Sequence, residues 1–294
     1  MSDLPPSLGA AVLVVLHIPA HSRSHLPEVL QKRTHLNVQS AGEGQPLEPG
    51  NVYIAPPDHH LMLEHGQVRL TRGPRECRVR PAIDVLFRSA AATYGRRVVG
   101  VILSGTLDDG TAGLWAVKDR GGVALVQDPK SAAHTSMPES ACRFVEVDAV
   151  LPLKEIGAEI ARRVAVLADL TPIHSVYNER IEIETAIARD GNGIGNGVMK
   201  LGHSSAYTCP ECHRVLVRIA EGRIVRYRCH SGHAHSVSTL LTEIAGSIDR
   251  GLWEAIRASE ERSLLLREMA TAEEREGHSS CAGLGPSLFS TGCG

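Results

Sequence analysis

The sequence predicts an α/β fold built on a doubly wound, mostly parallel sheet. Three observations carry that expectation. Valine-rich apolar runs of strand length end in polar loops, helical patterns alternate with them, and residues 96–128 read as strand, turn, helix, strand. Short continuous apolar runs suit strands covered on both faces. Their alternation with helices suits right-handed βαβ units in an open sheet. The length of 294 residues has room for one large domain and a smaller unit.

The elements follow in order. "AAVLVVLHIP" is a buried strand ending at His17 and Pro19, and "HSRSHLPEVLQKRT" is a short helix. "EPGNVYIAPPDHHLMLEHGQVRLTRG" alternates between apolar residues and Gly/Pro punctuation, as short strands and turns do. "RPAIDVLFRSAAATYG" is an amphipathic helix stopped by glycine, with Ile83, Leu86 and Phe87 on one face. Next come the strand "RRVVGVILSG", the turn "TLDDG", the helix "TAGLWAVKDR" and the strand "VALVQD". A helix in "VLPLKEIGAEIARRVAVL" closes a domain over residues 1–168. Residues 169–205, rich in Gly and Asn, read as a linker. A compact Cys/His unit over 206–236 follows, then a helix over 237–276 with Leu240, Leu241, Ile244, Ile248 and Leu252 at helical spacing, and a small, polar tail at 277–294 expected to be disordered.

Composition excludes several classes. A net charge of −2 gives no electrostatic reason to expect nucleic acid. No apolar run approaches the roughly 20 residues of a membrane span, and the N-terminus lacks the basic segment of a signal peptide. Seven cysteines, two of them in CPEC, fit a reducing compartment and metal binding better than a disulfide framework, so a cytoplasmic location is expected. Arg223, Arg226 and Arg228 in "RIVRYRCH" read as a solvated edge strand, with a nucleic-acid face as the lesser alternative.

Two acids, Asp108 and Asp109, share the turn after a buried strand. The ordinary use of such a residue is to cap the helix that starts near Thr111. Capping needs one acid, and a carboxylate at a strand's carboxyl end is also placed to orient a histidine. His17, ending another strand, is the candidate partner, although 15 histidines make spacing alone a weak guide.

The series "VLHIPAHS", "GQPLEPGNVYIAPPDHHLML", "VRLTRGPRE", "RPAIDVLFRSAA", "VVGVILSGTLDDGTAGLWAVKDRGGVALVQDP" and "SMPESA" resembles, in order over residues 8–165, the catalytic domain of CheB-type chemotaxis methylesterases. The resemblance implies a doubly wound α/β fold and a Ser-His-Asp triad that hydrolyses glutamyl methyl esters, and deamidates certain glutamines, on the cytoplasmic helices of methyl-accepting chemoreceptors. It implies His17 as the base, Asp109 as the orienting acid and the Thr106 backbone N–H as an oxyanion-hole donor. It gives Asp108 no role. The family's serine lies in a G-A-S-x-G-G-like turn ahead of the His17 strand. The 16 residues before His17 hold no such turn. A missing first strand, a gap in the sheet, no receiver domain and negligible esterase activity of this chain are therefore expected, with a later-than-true start as the favoured reason. The alternative function is a catalytically inactive signalling adaptor that keeps the receptor-binding surface.

The second constellation is C-x2-C at Cys209 and Cys212 and C-x3-H at Cys229 and His233, with 16 residues between the pairs. Four such ligands on two turns close a tetrahedron around a structural zinc ion, as in a zinc ribbon. The spacer "VLVRIAEGRIVRY" reads as two strands around "EG". His235 stands as an alternative to His233. No cofactor is expected for catalysis itself.

Overall fold

The computed structural model describes residues 3–22, 24–168 and 178–281, with side chains up to residue 273. In chain order its elements are β1 (Val12–Val14), α1 (Leu26–Gln31), β2 (Asn37–Ser40), β3 (Asn51–Ile54), β4 (His60–Glu64), β5 (Gln67–Thr71), α2 (Ile83–Tyr94), β6 (Val99–Ile102), α3 (Thr111–Asp119), β7 (Val123–Gln127), α4 (Ser136–Phe144), β8 (Ala149–Leu151), α5 (Leu153–Ala168), α6 (Glu179–Asp190), β9 (His203–Thr208), β10 (Val215–Glu221), β11 (Ile224–Cys229), β12 (Ala234–Ser236) and α7 (Val237–Cys281).

The parallel strands form two ladders, β1-β3-β2 and β6-β7-β8, that share no strand. The alternation of β3 shows how helices cover both faces. Val52 and Ile54 join a core with Leu36 and, from α5, Ile160 and Val164. Tyr53 joins the main core with Leu86, Phe87, Ile102 and Leu114 from α2, β6 and α3. Successive strand residues point to opposite faces, so one strand feeds two cores. The α/β class is as the sequence predicts. The sheet is interrupted, in line with the expected gap: β1 and β6 each pair on one side only among the described residues. Accordingly β1, expected to be buried, is only half-buried along its length.

Two further expectations are corrected. The part of the supposed linker that the structure describes contains α6, capped by Asn178, whose side chain accepts from the Arg180 and Ile181 N–H groups at 3.0 and 3.3 Å. It ends at Gly191, with φ 70°. Its residue Ile181 enters the main core, while Ile183 and Ile187 pack with Val198, Leu201, Val217 and Ile219. Helix α6 therefore ties the Cys/His unit to the α/β core, and residues 1–242 form one compact unit. Residues 169–177 and 282–294 lie outside the described residues. Residues 277–281, expected in a disordered tail, continue α7.

The second correction concerns the arginines of β11. Arg226 and Arg228 are 4% and 0% exposed. Arg228 bridges Glu76 at 2.7 Å and Glu184 at 2.9 Å, Arg226 binds Glu184 and Glu221, and Arg88 binds Glu76 and Glu184. Three buried arginines face three buried glutamates, so the cluster is neutral. Burial alone would raise the Glu76 carboxyl, but Arg228 and Arg88 outweigh it and bring it down to about 2. Arg226 and Arg228 therefore lie on neither a solvated edge nor a nucleic-acid face, while Arg223 is exposed in the turn before β11. Among the described residues no helix is long and apolar enough to cross a membrane. Residues 243–281 belong to a second unit, the continuation of α7, exposed along most of residues 243–273.

Candidate active site

His17 follows β1 and Asp109 follows β6, at the carboxyl ends of two strands that each stand at one edge of their ladder among the described residues. His17 Nε2 lies 2.7 Å from Asp109 Oδ2. A carboxylate only accepts, so Nε2 donates and Nδ1 is left as the basic nitrogen. The imidazole is 29% exposed and the carboxylate 3%. Burial would lower the histidine pKa, but the hydrogen bond and charge of Asp109 outweigh it, and the net shift is upward.

Asp109 also caps a helix, though not the one the sequence suggests. It accepts from the Ile83 N–H through Oδ2 at 2.7 Å and from the Asp84 N–H through Oδ1 at 3.2 Å, at the start of α2. In return Asp84 Oδ1 accepts from the Gly113 N–H in the first turn of α3 at 2.6 Å. Helix α2 thus takes its N-terminal acceptor from the turn before α3, and α3 takes one from α2. One carboxylate thus meets both the start of α2 and the His17 ring. Position 110 admits glycine for a reason: φ is 92°, and a Cβ would sit 2.5 Å from Ile102 Cδ1 and 2.8 Å from Ile83 Cγ2.

Sequence reasoning gives no role to Asp84, although it is the acid of the RPAIDVLF stretch that carries the family resemblance. It is 5% exposed, and burial together with the neighbouring Asp109 charge pushes its carboxyl up to about 8. The charged form of Asp84 is thus disfavoured beside Asp109. Buried Cys77 places its thiol within 4.8 Å of both carboxylates.

Thr106 is exposed on the loop between β6 and α3. The loop is braced from below: Gly105 N–H donates to His134 O and Gly105 O accepts from Met137 N–H, both at 3.1 Å. Ser104 N–H donates to Gln127 Oε1 at 2.9 Å. Among the described residues no acceptor faces the Thr106 N–H. Leu107 beside it has φ 61°, a strained conformation for a non-glycine residue and one that clusters at functional sites.

The Cys/His cluster is gathered as its spacing suggests. Ligand atoms of Cys209, Cys212, Cys229 and His233 all lie within 4.8 Å of one another. Cys229 Sγ is 3.5 Å from both Cys212 Sγ and His233 Nδ1. Two matching turns present them: His213 N–H donates to Cys209 O, and Gly232 N–H donates to Cys229 O. At Gly232, φ is 98° and a Cβ would meet Ile187 Cγ2 at 2.6 Å, so the second turn packs directly on α6. Strands β10 and β11 form the expected hairpin. His235 Nε2 also approaches Cys209 Sγ, at 3.5 Å. Three thiols and an imidazole, two of the four donors buried and two half-buried, form a donor set suited to zinc.

Residues 1–160 match the CheB methylesterase family. The chain belongs to that family. A protein-glutamate methylesterase/protein-glutamine glutaminase of Anaeromyxobacter dehalogenans is 42% identical over 156 residues, 53% of this chain and 46% of the relative. A Leptospira interrogans relative whose name gives the same two activities is 39% identical over 158 residues, 53% of this chain and 82% of its own length. The crystal structure of the Thermotoga maritima CheB methylesterase catalytic domain superposes with a TM-score of 0.53 at 33% identity, covering 55% of this chain and 87% of that one. His17, Asp109 and Thr106 lie inside the region matching CheB. The Cys/His cluster lies beyond it.

Proposed function

We propose that this chain carries the base and the orienting acid of a protein-glutamate methylesterase acting on chemoreceptor cytoplasmic helices. The observation that supports this most is the 2.7 Å His17–Asp109 pair at the ends of β1 and β6, within the stretch that matches the family. In this reading His17 Nδ1 takes the proton of a serine hydroxyl as its oxygen attacks the ester carbonyl. Asp109 holds the ring and balances the imidazolium. The Thr106 N–H is among the donors that receive the oxyanion. The imidazolium then gives its proton to the departing methanol, and water repeats the sequence on the acyl-enzyme to release the glutamate. Ammonia replaces methanol when the substrate is a glutamine. The proposed setting is the cytoplasm, where the thiol cluster stays reduced.

The sequence holds no G-A-S-x-G-G-like turn. This chain by itself is therefore expected to release no measurable methanol from a methylated chemoreceptor fragment. Joining a strand, a G-A-S-x-G-G-like serine turn and a helix of the family pattern ahead of Pro6 is expected to give turnover that His17→Gln removes. Receptor binding by the chimera without turnover would favour the inactive adaptor instead.

We further propose that Cys209, Cys212, Cys229 and His233 hold one structural zinc ion. The gathered donors and the small local core support this, since such units are held by their metal. One zinc per reduced chain is expected by metal analysis, and none in Cys209→Ser; a metal-free, fully folded reduced protein would sink the proposal.

A further inference from the structure

The Cys/His unit and the His17–Asp109 site are joined by four consecutive residues. His233 belongs to the ligand cluster. Ala234 pairs with the loop before α2: its N–H donates to Arg75 O at 3.2 Å, and its carbonyl accepts from Cys77 N–H at 2.8 Å. His235 turns back to Cys209 at 3.5 Å. Ser236 turns forward again, its hydroxyl donating to Asp108 Oδ1 at 2.8 Å while accepting from Thr239 N–H at 3.0 Å. The Thr239 hydroxyl, fully buried, lies 3.4 Å from the same Asp108 oxygen.

Both walls of the site are thereby bonded to one short strand, β12. Cys77 and Arg78, with φ 48° and 71°, sit on one side, and Leu107, with φ 61°, on the other. Strained backbone persists only where its surroundings over-determine it. The bonds from β12 supply that restraint to both loops, and β12 itself is fixed by the ligand turn that ends at His233.

From this geometry we infer that the Cys/His unit is a metal-dependent brace for the active-site loop, and that Asp108 is the positioning residue through which it acts. Asp108 touches no reacting atom. It holds the peptide that carries Asp109 and, through Leu107, the peptide that carries Thr106. The inference rests on the proposed zinc site but not on the esterase reading, because its readout is loop mobility. The two acids of "LDDG" then divide between two partners. Asp109 serves α2 and His17, while Asp108 serves β12.

Hydrogen–deuterium exchange read by mass spectrometry on the full chain tests it. The zinc-loaded protein is compared with protein stripped by a chelator under reducing conditions, following peptides that cover residues 75–79 and 103–113. Stripping is expected to speed exchange in both, on the order of tenfold, as for a typical coupling between sites. Asp108→Ala is expected to speed exchange in 103–113 to the same degree while zinc content stays at wild type. Asp108→Asn, which keeps an acceptor oxygen for Ser236, is expected to restore protection. Unchanged exchange in zinc-loaded Asp108→Ala, or acceleration spread equally through β6 and β7, overturns the brace. Bound zinc whose removal leaves 103–113 protected overturns the metal dependence. Failure of the reduced chain to take up zinc overturns the ligand assignment and this inference together, and leaves the methylesterase reading standing.

Discussion

Replacing Asp109 by Asn in the serine-completed chimera lowers kcat for methyl-ester hydrolysis by about 10⁴-fold, the scale seen when a triad loses its orienting carboxylate. The amide keeps one acceptor oxygen where the carboxylate had two. Oδ2 serves both His17 and Ile83 N–H, and Oδ1 serves Asp84 N–H. One of these donors must then face an NH₂ group. If it is His17, the ring turns to the tautomer that protonates the nitrogen meant to act as base. If it is the end of α2, a cap worth about 1 kcal/mol is lost. The pH profile moves as well. His17 works as a base only when neutral, and its pKa is raised above 6.5. Activity in the parent should therefore climb with pH through a midpoint above 6.5, and in Asp109→Asn the residual activity should climb at lower pH. The linked stability has the opposite sense. Protonated His17 is favoured by the folded state, so this contribution is present below pH 6.5 and fades as pH rises through the folded pKa.

Replacing Glu184 by Ala destabilises residues 1–242 by about 3–5 kcal/mol, the cost of removing one partner from a buried ion network. Glu184 is bonded to Arg226, Arg228 and Arg88, all buried in the same neutral cluster. Its loss leaves three buried guanidiniums facing two carboxylates. Urea denaturation at pH 7 measures the effect as a lower midpoint. Acid should narrow the gap. Glu76 is held at about 2 against an ordinary 4.5, and Glu184 is held low by the same arginines. The stability these carboxylates contribute is complete above pH 4.5 and is lost as pH falls toward 2. The difference between parent and variant should shrink over that window.

How much of the molecule is legible in the sequence depends on how far apart the partners lie in the chain. The α/β class and the βαβ unit around β6, α3 and β7 are readable because strand and helix periods are local. The Cys/His cluster is readable because its donors fall in two short motifs on one hairpin. The pairing of His17 with Asp109 spans 92 residues. No local pattern selects it, and only the family resemblance points to it. Helix α6 is hidden by the Gly/Asn-rich stretch after it, although Asn178 as cap, Glu179 and Glu182 in the first turn and Gly191 at the end are start and stop signals. The burial of Arg226 and Arg228 is not readable at all. An arginine buries only with its acid, and Glu76 lies 152 residues from Arg228. The same distance problem hides the partner of Asp108, since Ser236 is 128 residues away.

That His17 and Asp109 form a working base and orienter is the claim on which the functional reading turns. The most direct measurement is a ¹⁵N NMR titration of the full chain, with the His17 signals assigned by their loss in His17→Gln. The expected result is a neutral ring protonated at Nε2, a midpoint above 6.5, and a fall in that midpoint in Asp109→Asn. A ring protonated at Nδ1, or a midpoint at or below 6.5 that Asp109→Asn leaves unchanged, would contradict it.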